Sequence, residues 1–375
     1  ILDSLCIVPH VTSVVFPDSQ NTKTHWAEFC YILEHSLYIN EIITNERIDQ
    51  NFDLIQQITP NTFSGVVSLI SFGCQFFRER DLSIILKLYQ MCNIPSIKFS
   101  QNKFEVDIPQ IAPLFVKNST FFTSLTFDNI PYFDFSRVIT SLLNVKHVGI
   151  TSCRLDLGQI LPTICSFKNC QIQSLNLSGN LCHSLRNSEK GQLQQLPNSI
   201  NELIIDDFIF YGNSARDFLS FIIHQKDRPS FSLSMKKMSI EKEMWGPLFK
   251  FMLKHSNSDN FDYPITKFIW DGNEANFAIF KFLDRCKNLT YLSLNGCFNS
   301  SNCGKLVQYL LAFISCTRSC NEISIAGTIM HRIPSDLLEM IVNSLKSDQR
   351  VIKKINLSGH NYRPETLTVL SDTLM

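Results

Sequence analysis

Asp206 and Asp207 are adjacent carboxylates, and Asp271 stands in an equivalent place two sequence repeats further on. Paired carboxylates can do acid–base work or hold a cation. Neighbours on a strand point to opposite faces, so the pair need not converge; a solvated rim or a binding patch is the expected role. Nine histidines are scattered along the chain. Only His147 falls on the expected ligand-facing side of a strand, as a solvated surface group rather than a catalytic one.

Thirteen cysteines, an odd number, include no Cys-x-x-Cys; the nearest approaches are Cys316/Cys320, Cys165/Cys170 and Cys297/Cys303. Zinc sites want tighter pairs, and a disulfide scaffold wants a short secreted chain with an even count. Free, buried thiols in a reducing, cytoplasmic setting are expected, with no metal and no cofactor. Gly304-Lys305 is not a phosphate loop, because Asn299 stands where its first glycine must be. Neither a G-x-S-x-G elbow, an H-E-x-x-H helix nor a G-x-G-x-x-G cradle occurs. No catalytic residue is assigned, and a non-enzymatic role is expected. The glycosylation sequons at Asn118, Asn176, Asn288, Asn299 and Asn356 are read as chance, since Asn176 and Asn356 fall in mid-strand.

The elements that would position these groups follow from an internal repeat. In Ile172-Gln-Ser-Leu175-Asn-Leu177-Ser-Gly-Asn180-Leu-Cys182, apolar residues occupy places one, four, six and eleven, and Asn place nine. This is the leucine-rich-repeat signature. It recurs from Ile94, Val145, Ile265 and Leu289, and more weakly from Val66, Phe122, Ile200, Arg228, Cys320 and Ile352. Two eroded copies precede them, near Val11 (with Val14 and Phe16) and near Leu37 (with Ile42 and Asn45). Spacings centre on 28 residues, so eleven to thirteen units are expected.

Places four and six put two side chains on one face of a short strand. The ninth residue (Cys74, Cys153 and Cys297 among them) turns inward, where its side chain can satisfy loop backbone groups. Between strands the apolar period lengthens to a helix: Leu157, Ile160, Leu161, Ile164; Phe218, Phe221, Ile222; Leu306, Val307, Leu310, Leu311, Ile314; and Leu337, Leu338, Ile341, Leu345 after Pro334-Ser335-Asp336. Trp245 opens another apolar stretch with Leu248, Phe249 and Met252, and Trp26 lies off the ladder. Thirty phenylalanines, among them Phe76 and Phe77 beside Arg78, suit an aromatic-filled core.

The expected fold is therefore α/β: a leucine-rich-repeat solenoid, a curved horseshoe with a parallel β-sheet on its concave face and helices on its convex face. Residues 1–63 would form degenerate N-terminal repeats or a cap, and 64–375 one continuous solenoid. Balanced charge, with Lys+Arg and Asp+Glu both 34, removes the basic excess that a nucleic-acid binder shows. No apolar run is long enough to span a bilayer. The chain opens on Ile1-Leu2-Asp3-Ser4 and stops at Leu374-Met375 without recognisable capping repeats, so it is expected to be part of a longer protein and to be unstable alone.

Leu175-Asn-Leu-Ser-Gly-Asn180, Leu292-Ser-Leu-Asn-Gly-Cys297 and Ile355-Asn-Leu-Ser-Gly359 resemble the long repeats of the ribonuclease-inhibitor-like class. Within it, the run from Leu125-Thr-Phe-Asp-Asn-Ile-Pro131 through Val148-Gly-Ile-Thr-Ser-Cys-Arg-Leu-Asp156 is similar to CARMIL proteins, regulators of actin-filament capping protein. That resemblance implies a role in the actin cytoskeleton. It also implies a membrane-binding PH-like domain before the repeats, and dimerisation and capping-protein-binding segments after them, none of which is evident here.

Places three, five and seven should face a protein partner. The ends of that ladder are small and polar, from Ser96, Lys98 and Ser100 to Lys354, Asn356 and Ser358. Its middle is larger and acidic, and Glu202, Ile204, Asp206, Lys267, Ile269, Asp271 and Tyr291 are the candidate binding patch. The repeat begun at Arg228 would add Ser230, Ser232 and Ser234. The alternatives are a serine-rich ladder that is structural filler, or a regulatory solenoid that activates a small GTPase or presents substrates for ubiquitination.

Overall fold

The computed structural model describes residues 12–15, 22–36, 38–44, 68–72, 83, 86, 94–101, 123–130, 136, 138–139, 142, 144–167, 169–185, 195–225, 228, 230–256, 262–299, 301–345 and 352–368. The expected features at Val11, Leu37, Asn45, Val66, Cys74, Phe76 to Arg78 and Phe122, the Trp26 side chain and the two chain ends lie outside the described residues.

The chain is mixed α/β and divides into two compact units: 1–155 with 163–177, and 156–162 with 178–375. The expected N-terminal segment 1–63 belongs to the first unit together with the repeats up to Leu177.

In the first unit, strands β1 (Ser13–Val15), β2 (Glu41–Thr44), β3 (Ser68–Phe72), β4 (Ser96–Ser100), β5 (Ser124–Asp128), β6 (His147–Thr151) and β7 (Ser174–Asn176) pair in chain order, all parallel. Val14 lies opposite Ile42, so the eroded copies carry strands too. Helix α1 (Thr22–His35) separates β1 from β2, and α2 (Leu157–Cys165), of which residues 157–162 belong to the second unit, follows β6. Leu125 and Phe127, at places four and six of β5, are buried, while Ser124, Thr126 and Asp128 between them are half-buried. Phe99 and Phe127 stack at 5.6 Å, the aromatic filling expected of the repeat.

The second unit holds β8 (Leu181–Cys182), β9 (Glu202–Ile204), β10 (Ile209–Phe210), α3 (Ser214–Ile223), β11 (Phe231–Ser234), β12 (Ser239–Ile240), α4 (Trp245–Ser256), β13 (Ile265–Ile269), α5 (Phe277–Leu283), β14 (Tyr291–Ser293), α6 (Cys303–Cys316), β15 (Glu322–Ser324), α7 (Ser335–Ser344) and β16 (Lys354–Asn356). Strands β9, β11, β13, β14, β15 and β16 pair in that order, again parallel. A short second sheet pairs β8, β10 and β12. Neither sheet closes into a barrel. Strands β3 to β7, β9, β13, β14, β15 and β16 thus lie where ten of the eleven repeat starts read from the sequence place them.

The helices bury the stripes their periodicity marks: Phe218, Leu219 and Ile222 in α3, Trp245, Leu248 and Met252 in α4, Leu306, Val307 and Leu310 in α6, Leu338 and Ile341 in α7. Each fully buried side chain of this size contributes about 1.5–3 kcal/mol. Asn276 caps α5 by accepting from Ala278 N at 2.8 Å.

One expectation is corrected. Arg228 does not begin a repeat. Phe231 lies opposite Ile265, and the register then shifts so that Ser232 lies opposite Lys267. The strand drops one residue after Phe231, and the outward row of β11 becomes Ser232, Ser234 and Lys236 instead of Ser230, Ser232 and Ser234. Arg228 is buried instead. Its guanidinium donates to the carbonyls of Ile200, Leu196 and Pro197 and lies over the Phe231 ring. Gln225 completes this polar knot, accepting from Leu196 N at 2.8 Å and donating to Phe221 O at 3.0 Å.

Candidate functional site

At the end of each strand the chain must leave the sheet, and in most of the described repeats the backbone does so in the same way; Gly327, at the eighth place of the repeat begun at Cys320, is the exception. The eighth place is left-handed in nine repeats: Gln101, Asn129, Ser152, Gly179, Asp207, Lys237, Gly272, Gly296 and Gly359. Its N–H continues the sheet hydrogen bonding to the seventh-place carbonyl of the next repeat: Gln101 to Asp128, Asp207 to Lys236, Lys237 to Asp271, Gly272 to Asn295 and Gly296 to Ala326. Asp207 is therefore a turn residue, exposed to solvent, while Asp206 is half-buried. The two carboxylates do not form one acid–base pair.

The seventh-place side chain does a second job. Asp206 Oδ1 accepts from Ser234 Oγ at 2.6 Å and Lys236 N at 2.9 Å. Asp271 Oδ1 accepts from Ser293 Oγ at 2.6 Å and Asn295 N at 2.8 Å. Asn295 Oδ1 accepts from Ser324 Oγ at 2.8 Å and Ala326 N at 2.5 Å. In each case the next strand supplies a fifth-place hydroxyl and a seventh-place N–H. In the first unit Asp128 binds Ser100, Thr151 and Lys98 in a related way. Burial alone would push the Asp128 carboxyl up, but the hydrogen bonds from Thr151, Lys98 and Ser100 and the Lys98 charge outweigh it and hold it below its ordinary value.

The ninth place turns inward as expected. Cys153 Sγ contacts Phe127 O at 3.6 Å and accepts from Ile130 N at 3.5 Å. Asn273 Nδ2 donates to Met235 O at 2.5 Å while its Oδ1 accepts from Met238 N at 2.7 Å. Cys297 Sγ reaches Trp270 O at 3.3 Å. His360 fills the same place in the last repeat, with Nε2 against Ile325 O at 2.7 Å and Nδ1 accepting from Ile333 N at 3.0 Å. Burial pushes the Cys153 and Cys297 thiols up to about 12, so both stay protonated.

The candidate patch occupies one face of the second unit. Along the third-place row lie Glu202, Ser232, Lys267 and Tyr291; along the fifth lie Ile204, Ser234, Ile269 and Ser293; along the seventh lie Asp206, Lys236, Asp271 and Asn295. Neighbours in a row are one strand spacing apart, about 4.8 Å. Ile204, Ile269 and Tyr291 are half-buried and Lys267 is exposed. The sequence reading missed Lys236, whose Nζ lies 3.3 Å from Asp206 Oδ2 and breaks the acidic row. At the edge of the row, Lys354 pairs with Glu322 at 2.6 Å. His147 is exposed on β6.

Among the described residues no group of three or more His, Cys, Asp or Glu is placed to hold a metal ion, and no helix is long and apolar enough to cross a membrane.

No family model matches this chain, and no curated protein matches it. Among solved structures it is similar to a Bacteroides fragilis protein determined as a structural-genomics target. The identity is 14%, over 72% of this chain and 67% of that one, with a TM-score of 0.38. A likeness at that level carries no argument about function.

Proposed function

We propose that this chain is a leucine-rich-repeat solenoid working as a non-enzymatic protein-binding scaffold, with its partner held on the strand face at Glu202, Ile204, Lys267, Ile269 and Tyr291. One observation carries the reading. Ile204 and Ile269 flank Ser234 on the fifth-place row and Tyr291 follows on the third-place row of the next strand, all three half-buried, among the small Ser232 and Ser234 and the charged Glu202 and Lys267. Apolar and aromatic anchors ringed by polar groups are what binding hot spots require. The seventh-place carboxylates Asp206 and Asp271 are left out of this patch, because their oxygens are committed to neighbouring strands. The similarity to CARMIL repeats puts proteins of the actin cytoskeleton first among partners to look for.

The test is quantitative capture from a lysate of the source cell on the immobilised chain, followed by binding of each captured protein in purified form. Tyr291→Ala and Ile269→Asp should weaken a true partner at least tenfold, with Ser358→Ala, at the far end of the ladder, as the control. Asp206 and Asp271 are poor choices for this experiment because they hold strands together. A partner bound equally by wild type, Tyr291→Ala and Ile269→Asp would remove the strand face from the proposal.

A further inference from the structure

The helix side of the second unit carries a different surface. Helices α5 and α6 leave a trough between them, with a hollow of about 560 Å³ toward their C-terminal ends and a smaller one of about 230 Å³ toward their N-terminal ends. Phe277 and Tyr309 line both hollows, and their rings lie 4.8 Å apart. Phe280 and Phe313 form the floor of the larger hollow, 6.1 Å from centroid to centroid. Both are almost fully buried, whereas Phe277 is 37% exposed. An aromatic floor open to solvent favours an apolar side chain entering from outside.

The rim is predominantly basic. Lys281, Lys287 and Arg318 line the larger hollow and Lys305 the smaller, against Asp284 alone. Counting Asp262, which pairs with Lys287, four cations against two anions leave a local excess of two positive charges, in a chain whose net charge is zero. Lys281 is held by Asp284 at 3.2 Å and Lys287 by Asp262 at 2.9 Å. Lys305 and Arg318, both exposed, have no carboxylate partner among the described residues. These two free cations stand at opposite ends of α6, a helix of 14 residues and therefore about 21 Å long.

We infer that the α5–α6 trough is a second protein-docking surface, independent of the strand-face patch, and that it takes an acidic amphipathic helix. Two hollows divided by the Phe277–Tyr309 contact suit large apolar side chains one to two turns apart, and acidic residues flanking them would meet Lys305 at one end and Arg318 at the other. This is helix-in-groove recognition with complementary charge. A flat bilayer could not fill two recessed hollows.

Cys316 provides the readout. It lines the larger hollow and is exposed, whereas Cys286 in the same lining is buried and its thiol is pushed up by burial. The probe is a synthetic 14-residue helix with Leu and Phe on one face and Glu on its flanks, set against a twin with Lys for every Glu. The acidic peptide should bind the intact chain in fluorescence anisotropy and slow iodoacetamide alkylation of Cys316, mapped by mass spectrometry, at least fivefold. Lys305→Glu with Arg318→Glu should weaken that binding at least tenfold, and Tyr309→Ala should do so without any change of charge, both variants unfolding near the wild-type urea midpoint. Equal binding of the two peptides, or acidic-peptide binding that leaves Cys316 reactivity unchanged, would overturn the assignment. So would protection of Cys316 by phosphatidylserine vesicles or by self-association of the chain, with none by the peptide.

Discussion

Asp271 Oδ1 accepts the Ser293 hydroxyl at 2.6 Å, and Asp206 Oδ1 accepts that of Ser234 at the same distance. Each carboxylate also takes a backbone N–H from the strand that carries the serine. These acidic groups are therefore clamps between successive strands. Asp271→Ala would leave Asn295 N and Ser293 Oγ without their acceptor, at a cost of about 1–3 kcal/mol. Asp271→Asn should cost far less, because Asn295 makes the same pair of contacts to Ser324 and Ala326. Urea unfolding of the two variants distinguishes a clamp from a spectator: equal midpoints would show that the carbonyl oxygen is not the element in use.

The left-handed eighth place gives two substitutions of opposite sign. Gly359 has φ +76°, and a Cβ there would overlap Gly327 O, so Gly359→Ala should lower the unfolding midpoint. Lys237 adopts φ +46° with a full side chain. Lys237→Gly relieves a left-handed penalty of about 1 kcal/mol and should stabilise the chain by part of that amount, since the glycine also loosens the unfolded chain. A Lys237→Gly variant less stable than wild type would mean that its contacts outweigh its backbone strain.

The repeat was legible because places one, four and six must be apolar, and the structure puts strands where that spacing puts them. Place eight was not. Its requirement is on the backbone, and Gln101, Asn129, Ser152, Asp207 and Lys237 meet it as well as four glycines do, so residue type hides it. Arg228 shows the opposite error. A spacing of 28 residues from Ile200 drew the repeat start onto it, although a charged residue at a buried apolar place contradicts the signature. The true first place is Phe231, and the dropped residue after it is a register event that a fixed template cannot contain. Of the candidate patch, the choice of strands and faces was legible. Lys236 was missed because it depends on that register, and the commitment of Asp206 and Asp271 to the next strand was missed because it depends on hydroxyls 28 and 22 residues away, respectively.

Arg228 itself yields a prediction. Its guanidinium satisfies three carbonyls of the 196–200 turn from one buried position, a geometry that a planar fork allows and an ammonium does not. Arg228→Met keeps the volume and abandons all three acceptors, and should destabilise the second unit by about 3 kcal/mol. Arg228→Lys should recover only part of this. Hydrogen exchange is the sharper measurement, since Leu196 and Ile200 amides should lose protection before those of β14 and β15. Uniform loss across the unit would show that the knot is not a local brace.

His360 couples the last repeat to pH. Its Nδ1 accepts from Ile333 N and its Nε2 faces Ile325 O, an arrangement that only the neutral ring protonated on Nε2 can make. Burial, and then the nearby Arg332 charge, lower its pKa below the ordinary 6.5, with the Ile325 carbonyl opposing them. The sign follows from linkage. Below about pH 6.5 the unfolded chain takes up a proton that the folded ring resists, so this contribution to stability is complete above pH 6.5 and is lost as the pH falls toward the folded pKa. His255 adds the same sign, its pKa lowered by burial, then by His224 and Lys254. The urea midpoint should therefore fall between pH 7.5 and pH 5.5 in the wild type. His360→Asn keeps an acceptor and a donor at the ninth place, as Asn273 does, and should shrink that fall without abolishing it, because His255 remains. An unchanged pH dependence in His360→Asn would mean that the Ile333 N–H finds another acceptor when the ring is protonated.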